Sequence, residues 1–108
     1  MVDVWLRGEL EDKPTGVFTS SASIHGGQES TILTTLIPLL HFGMIFVGIP
    51  YVQNPQILMT DAIGGSPYGP STIAGPDDKR PVADVELLTA RSLGVRLARV
   101  ASALKIVP

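Results

Sequence analysis

The apolar positions of this chain change period twice, and the changes mark its elements. Residues 16 to 21, GVFTSS, are a short apolar run ending in small polar residues; they read as a strand, entered through a Pro14-Thr15-Gly16 turn. From Glu29 to about His41, the residues Ile32, Leu33, Leu36, Ile37, Leu39 and Leu40 recur at helical spacing and predict a helix with a wide buried face. Pro38 is its weak point, because proline lacks an N–H and crowds the carbonyl of Thr34. In a helix interior that costs about 3 kcal/mol, so the helix is expected to bend or tighten there. Gly43 stands where a helix-ending glycine belongs. MIFVGI, residues 44 to 49, is continuously apolar without alternation, the pattern of a strand covered on both faces in a parallel sheet. Strand, helix and strand in that order make a βαβ unit.

Pro50 to Pro81 is rich in proline and glycine and reads as a long ordered loop. The last element, roughly Val82 to Leu104, places Ala90, Leu93, Leu97, Val100, Ala101 and Leu104 on one face of an amphipathic helix. Asp84 and Glu86 lie near its start and Arg96, Arg99 and Lys105 toward its end, an order that complements the helix dipole. The chain has no internal repeat and no low-complexity tract.

Composition narrows the classes. With 108 residues there is room for one domain. Charged residues make up only 17%, against about 25% in an average domain, so part of the surface is expected to be covered by something else. A net charge of -2 offers no basic stripe and argues against nucleic acid or an anionic membrane as partner. Without cysteine there is no disulfide framework, thiolate metal site or cysteine nucleophile, which fits a cytoplasmic setting. The first residues, MVDVWLRGELEDK, lack the basic and apolar regions of a secretory signal. No Asp, Glu, Lys or Arg occurs from Ser30 to Thr60, yet Pro38, His41, Gly43, Gly48 and Pro50 interrupt the run. A buried helix followed by a buried strand is therefore expected in place of a membrane span.

Candidate chemistry centres on TSSASIHGGQES, residues 19 to 30. A loop of small hydroxyl residues and glycines between a strand end and a helix start can cradle a polar ligand on free N–H groups, or it can be an ordinary surface turn. The residues alone leave both readings open; neither GxxxxGK[ST] nor GxGxxG is present. His41 ends an apolar helix and reads either as a half-buried residue or as a ligand contact, and His25 faces solvent in the loop. Two histidines without clustered carboxylates give no zinc spacing. The serines lack a GxSxG elbow. Trp5 is either a core plug or a pocket wall.

In their order and spacing, GVFTSSASIHGGQEST, LLHFGMIFVGIPY, GGSPYGPSTIAG and RPVADVELLTARSLG resemble the C-terminal half of the WrbA family, flavodoxin-like NAD(P)H:quinone oxidoreductases that carry FMN. The resemblance runs from about Trp5 to Leu104. It implies an α/β chain that is the C-terminal part of a doubly wound parallel sheet of order 2-1-3-4-5, with GVFTSS as the fourth strand and MIFVGI as the fifth. The N-terminal half is absent, so residues 1 to 108 form a single, incomplete domain. It further implies that Ser20, Ser21, Ala22, Ser23, Ile24, His25 and Gly26 run along the flavin ring, that His41 lies at the flavin edge, and that Trp5 walls the nicotinamide and quinone pocket. FMN and NAD(P)H are the implied cofactors, a quinone the implied substrate and a homo-oligomer, the family tetramer, the implied assembly.

Asp12 stands where a glycine is common in that family. The phosphate loops after the first and third strands are not in this chain, so FMN binding by the fragment alone is in question. Two functions follow: two-electron quinone reduction as the role of the whole fold, or a truncated, catalytically inactive fragment acting at most as an oligomerisation or interaction module. The missing third strand also implies an unpaired edge on GVFTSS.

Overall fold

Residues 13 to 21 pair along one edge with two later segments of the chain, and that edge organises the fold. The computed structural model describes residues 2–105. Its elements are α1 (Val2–Leu6), β1 (Pro14–Thr15), β2 (Thr19–Ser21), α2 (Gln28–His41), β3 (Ile45–Phe46), β4 (Ser71–Ile73) and α3 (Asp84–Leu104), with a 3-10 turn at Pro55–Leu58. The chain is α/β, and both strand pairings are parallel: Pro14 opposite Ile45 and Thr15 opposite Phe46, then Thr19, Ser20 and Ser21 opposite Ser71, Thr72 and Ile73.

Both ladders lie on the same edge. Ile45 N–H donates to Lys13 O, Val47 N–H to Thr15 O and Ala74 N–H to Ser21 O, while Thr19 N–H donates to Pro70 O. All four positions on the 13–21 segment are odd-numbered, and along an extended chain every second residue faces the same edge. β3 and β4 therefore dock one after the other against a single edge, and residues 47 to 70 make an excursion between them. Gly69 fills the gap between the ladders; a Cβ there would run into Val17 O, so only glycine permits this approach.

Several expectations are corrected here. Pro14-Thr15 is not a turn but the start of the paired segment; the turn falls at Asp12, whose φ is 63° and whose N–H donates to Gly43 O at 2.9 Å. GVFTSS is not one uninterrupted strand, because the ladder breaks over Gly16–Phe18 where one partner leaves and the next arrives. The long loop hides β4, a three-residue strand held by its partner and by α3 and too short for a pattern to announce. The sequence reading did not foresee α1.

α2 forms as expected, with Pro38 inside it and Gly43, at φ 78°, just past its end. Its wide buried face does not: Ile32 is its one buried residue, while Leu33, Ile37 and Leu40 are 39%, 56% and 54% exposed. β3 is not covered on both faces either, since Ile45 is exposed and only Val47 and Ile49 beyond it are buried. The core is small: Val47, Ile49 and Leu93, with Ile57, Leu97 and Val100 packed against them. A compact monomer of this mass exposes about 5,800 Å², whereas this chain exposes 7135 Å². Large apolar side chains such as Phe18, Ile37 and Leu40 are among those exposed.

Candidate functional site

The loop between β2 and α2 is built by its own side chains. Ser21 Oγ lies 2.7 Å from Ser23 O and 2.9 Å from Gln28 Oε1, and its single proton is shared between them. Gln28 Nε2 reaches back to Ile24 O at 3.1 Å, and Gly26 N–H closes the turn on Ser23 O at 3.0 Å. These bonds fix the path of residues 21 to 26. The hydroxyls of Ser20 and Ser23, the His25 ring and the backbone N–H groups of residues 22 to 25 find no partner among the described residues. Ala22, Ser23, Ile24, His25 and Gly26 are all exposed. The loop thus offers several donors on a short fixed path, a set that suits the acceptor-rich edge of a planar ring system.

Trp5 and His41 meet elsewhere. They line one apolar groove of about 480 Å³ with Val2, Ile37, Pro38 and Phe42. Trp5 is 53% exposed and forms a wall of this groove, not a core plug. α2 separates the two groups: the loop precedes its first residue and His41 is its last. A helix of 14 residues is about 21 Å long. The candidate residues therefore fall into two sets at opposite ends of one helix.

A third region flanks the strand that leads into the loop. Phe18, Thr19, Ser20, Val82, Leu87 and Ala90 border a groove of about 490 Å³ between β2 and α3. At its base lies Glu86, 2% exposed. Its carboxylate accepts from Gly64 N–H at 2.8 Å, Ile73 N–H at 3.3 Å, Thr72 Oγ1 at 2.9 Å, Ala83 N–H at 2.8 Å and Arg80 Nη1 at 3.0 Å. Burial alone would push this carboxyl up, but the four hydrogen bonds from Ala83, Gly64, Thr72 and Arg80 together hold it below its ordinary value. The same contacts tie β4, and through it β2 and the loop, to the first turn of α3.

Sequence reasoning read Glu86 only as a dipole complement and missed this hub. The available signal was its place three residues after Ala83, the capping-box position. Ala83 has no side-chain acceptor, so only the glutamate half of that box exists.

No family model matches the chain. Curated proteins named NAD(P)H dehydrogenase (quinone) do. One from Aromatoleum aromaticum is 50% identical over 101 residues, which is 94% of this chain and 49% of that protein. Another from Methanosarcina barkeri is 50% identical over the same shares, and one from Geobacter metallireducens is 51% identical over 94% of this chain and 50% of its own length. This chain is a homologue of the NAD(P)H dehydrogenases (quinone). It spans about half the length of the curated relatives it matches.

Only a few residues of this chain lie outside each match, so the loop, His41 and the Glu86 hub fall within it. Among the described residues no helix is long and apolar enough to cross a membrane.

Proposed function

We propose that this chain is the C-terminal, flavin-edge half of an FMN-dependent NAD(P)H:quinone oxidoreductase of the flavodoxin-like WrbA type. The observation that carries the reading is 43–52% identity, running along nearly the whole chain, to proteins whose names state NAD(P)H dehydrogenation with quinone. In this reading the 13–21 segment is the fourth strand of the complete sheet and β3 with β4 its fifth, interrupted by the 47–70 excursion. When bound, FMN supplies hydride acceptance from NAD(P)H and onward two-electron transfer to a quinone. The protein's own work is binding and orientation. Backbone N–H groups of Ala22, Ser23, Ile24 and His25, with the Ser20 and Ser23 hydroxyls, donate to the ring edge, where fixed donors stabilise developing negative charge. Ser21 and Gly26 shape the loop, because their donors are committed within it.

His41 and Trp5 bound the nicotinamide and quinone side with an apolar wall that excludes water. Because they stand at the far end of α2, they complete the site of a loop belonging to another copy in a cytoplasmic homo-oligomer. Neither nucleic acid nor a membrane takes part.

The second reading, an inactive fragment that serves as an interaction module, is favoured by one observation. The strand leading into the loop has an edge whose N–H and C=O groups find no backbone partner among the described residues.

One experiment separates the two. The full chain is titrated with FMN alone and after mixing with the N-terminal half of the Methanosarcina barkeri relative, produced separately. The first reading expects little flavin retention alone. On mixing, it expects stable retention together with NAD(P)H-dependent reduction of a benzoquinone. A mixture that co-elutes on size exclusion yet stays colourless and inactive would overturn it in favour of the module.

A further inference from the structure

The largest cavity described for this fold lies away from all of these residues. It is a groove of about 780 Å³ between the Pro50–Asn54 turn and the middle of α3, within the size range of small-molecule sites. From α3 it receives Leu88, Arg91, Ser92, Val95, Arg96 and Arg99. These recur at three- and four-residue spacing and so share one face of the helix. Three of the chain's eight cationic side chains stand in this groove, and no carboxylate is among its lining residues.

The groove is stapled together. Gln56 Nε2 bonds Asn54 Oδ1 at 3.2 Å and Thr89 Oγ1 at 2.9 Å, and Asn54 Nδ2 bonds Pro50 O at 3.0 Å, so the turn is fixed against the helix. Arg96 Nη1 donates to Gly48 O at 2.6 Å, which anchors one guanidinium. Arg91 and Arg99 make no hydrogen bond or ion pair among the described residues.

The helix dipole does not account for these charges. Its effect is confined to the terminal turns, Arg91 is the eighth residue of a 21-residue helix, and the last turn contains no basic residue. Nor is solvation of a plain polar face sufficient, because Val95 lies between the arginines and Leu88 about one turn before them, each about half exposed. Forked, permanently charged donors beside an apolar wall match an anion with several oxygen acceptors and an organic body.

We propose that this groove binds a small diphosphate ester, with Arg91 and Arg99 on the phosphates and Leu88 and Val95 against the organic part. The inference does not rest on the redox reading. It is tested on the full chain by calorimetric titration with ADP, inorganic pyrophosphate and adenosine at low salt. ADP is expected to bind saturably, tighter than pyrophosphate, with adenosine weakest. The double variant Arg91→Gln/Arg99→Gln should weaken ADP about ten-fold or more with the circular dichroism spectrum unchanged. Lys13→Gln/Lys79→Gln, which removes the same charge outside the groove, should change it less than about two-fold. Arg91→Lys/Arg99→Lys should recover only part of the loss, since lysine lacks the fork. Adenosine binding as well as ADP, equal losses in the two glutamine pairs, or no saturable ADP binding to the unaltered chain would each overturn the proposal.

Discussion

The two edges of the 13–21 segment are made of the same backbone and differ in everything that meets them. On one edge the groups of Lys13, Thr15, Thr19 and Ser21 are bonded to Ile45, Val47, Pro70 and Ala74, Gly69 packs on Val17, and Glu86 fastens β4 from behind. On the other, the N–H and C=O groups of Gly16, Phe18 and Ser20 find no backbone partner among the described residues, and Phe18 is 79% exposed. Exposed edges are ordinarily blunted by charge, proline or a bulge. Here no charged residue occurs from Pro14 to Ile24, and Pro14 blocks only the first position. One edge is a finished interface and the other is a template. The difference shows how a chain spanning half the length of its relatives can be locally well bonded and still incompletely covered.

The largest effect is expected where the finished edge is fastened. Glu86→Gln leaves buried donors facing a neutral amide and Arg80 without its counter-charge, and should cost about 3 kcal/mol or more in urea unfolding. The pH dependence has a definite sign. Glu86 is held below its ordinary value in the folded chain, so its contribution is present above the unfolded carboxylate range. That contribution is lost as the pH falls through the range and past the folded value. Melting curves of the parent chain and Glu86→Gln should converge on acidification; parallel curves would deny Glu86 its role as hub.

Next comes Gly69→Ala. A methyl group there meets Val17 O, and separating the two ladders should destabilise by about 2 kcal/mol. A variant as stable as the parent would mean that the edge adjusts more freely than the packing implies.

Phe18→Lys probes the unfinished edge. It should leave the melting temperature within about 2 °C of the parent and shift sedimentation toward monomer, because a charge on an edge discourages pairing. If association is unchanged, the open edge is not what copies of this chain use to meet. The last change, Asp12→Gly, is a gain of stability. Asp12 has a φ of 63°, and glycine there should stabilise by roughly 1 kcal/mol.

How much of this was legible in the sequence follows element length. α2 and α3 announce themselves because helical spacing is repeated over several turns, and Gly43 and Pro38 fall where their chemistry says they should. β4 and α1 do not, because three and five residues carry no period, and β4 is held by Glu86, whose partners are distant in sequence. The unpaired edge was legible only through the family resemblance. The candidate loop was visible as a composition of small residues, but Ser21 as its internal brace was not, since bracing depends on where Gln28 returns. That Trp5 and His41 share a groove was beyond reach for a similar reason: it depends on how α1 lies against the end of α2.

The 47–70 excursion has a consequence for the order in which the chain takes shape. β1 must find β3 and β2 must find β4, and the second search spans about 20 residues more than the first, which adds only about 0.5 kcal/mol of closure entropy. Distance is therefore a minor obstacle. What β4 lacks is an anchor of its own, because the carboxylate that accepts Ile73 N–H and the Thr72 hydroxyl belongs to a helix that begins 11 residues later. The first ladder can form from its own neighbourhood, whereas the second waits for α3 to arrive. The loop after β2 is thus set late in folding and is among the first parts released in a partial opening, with amide exchange at Ser21 and Ile73 reporting on the docking of a helix more than on the strands themselves.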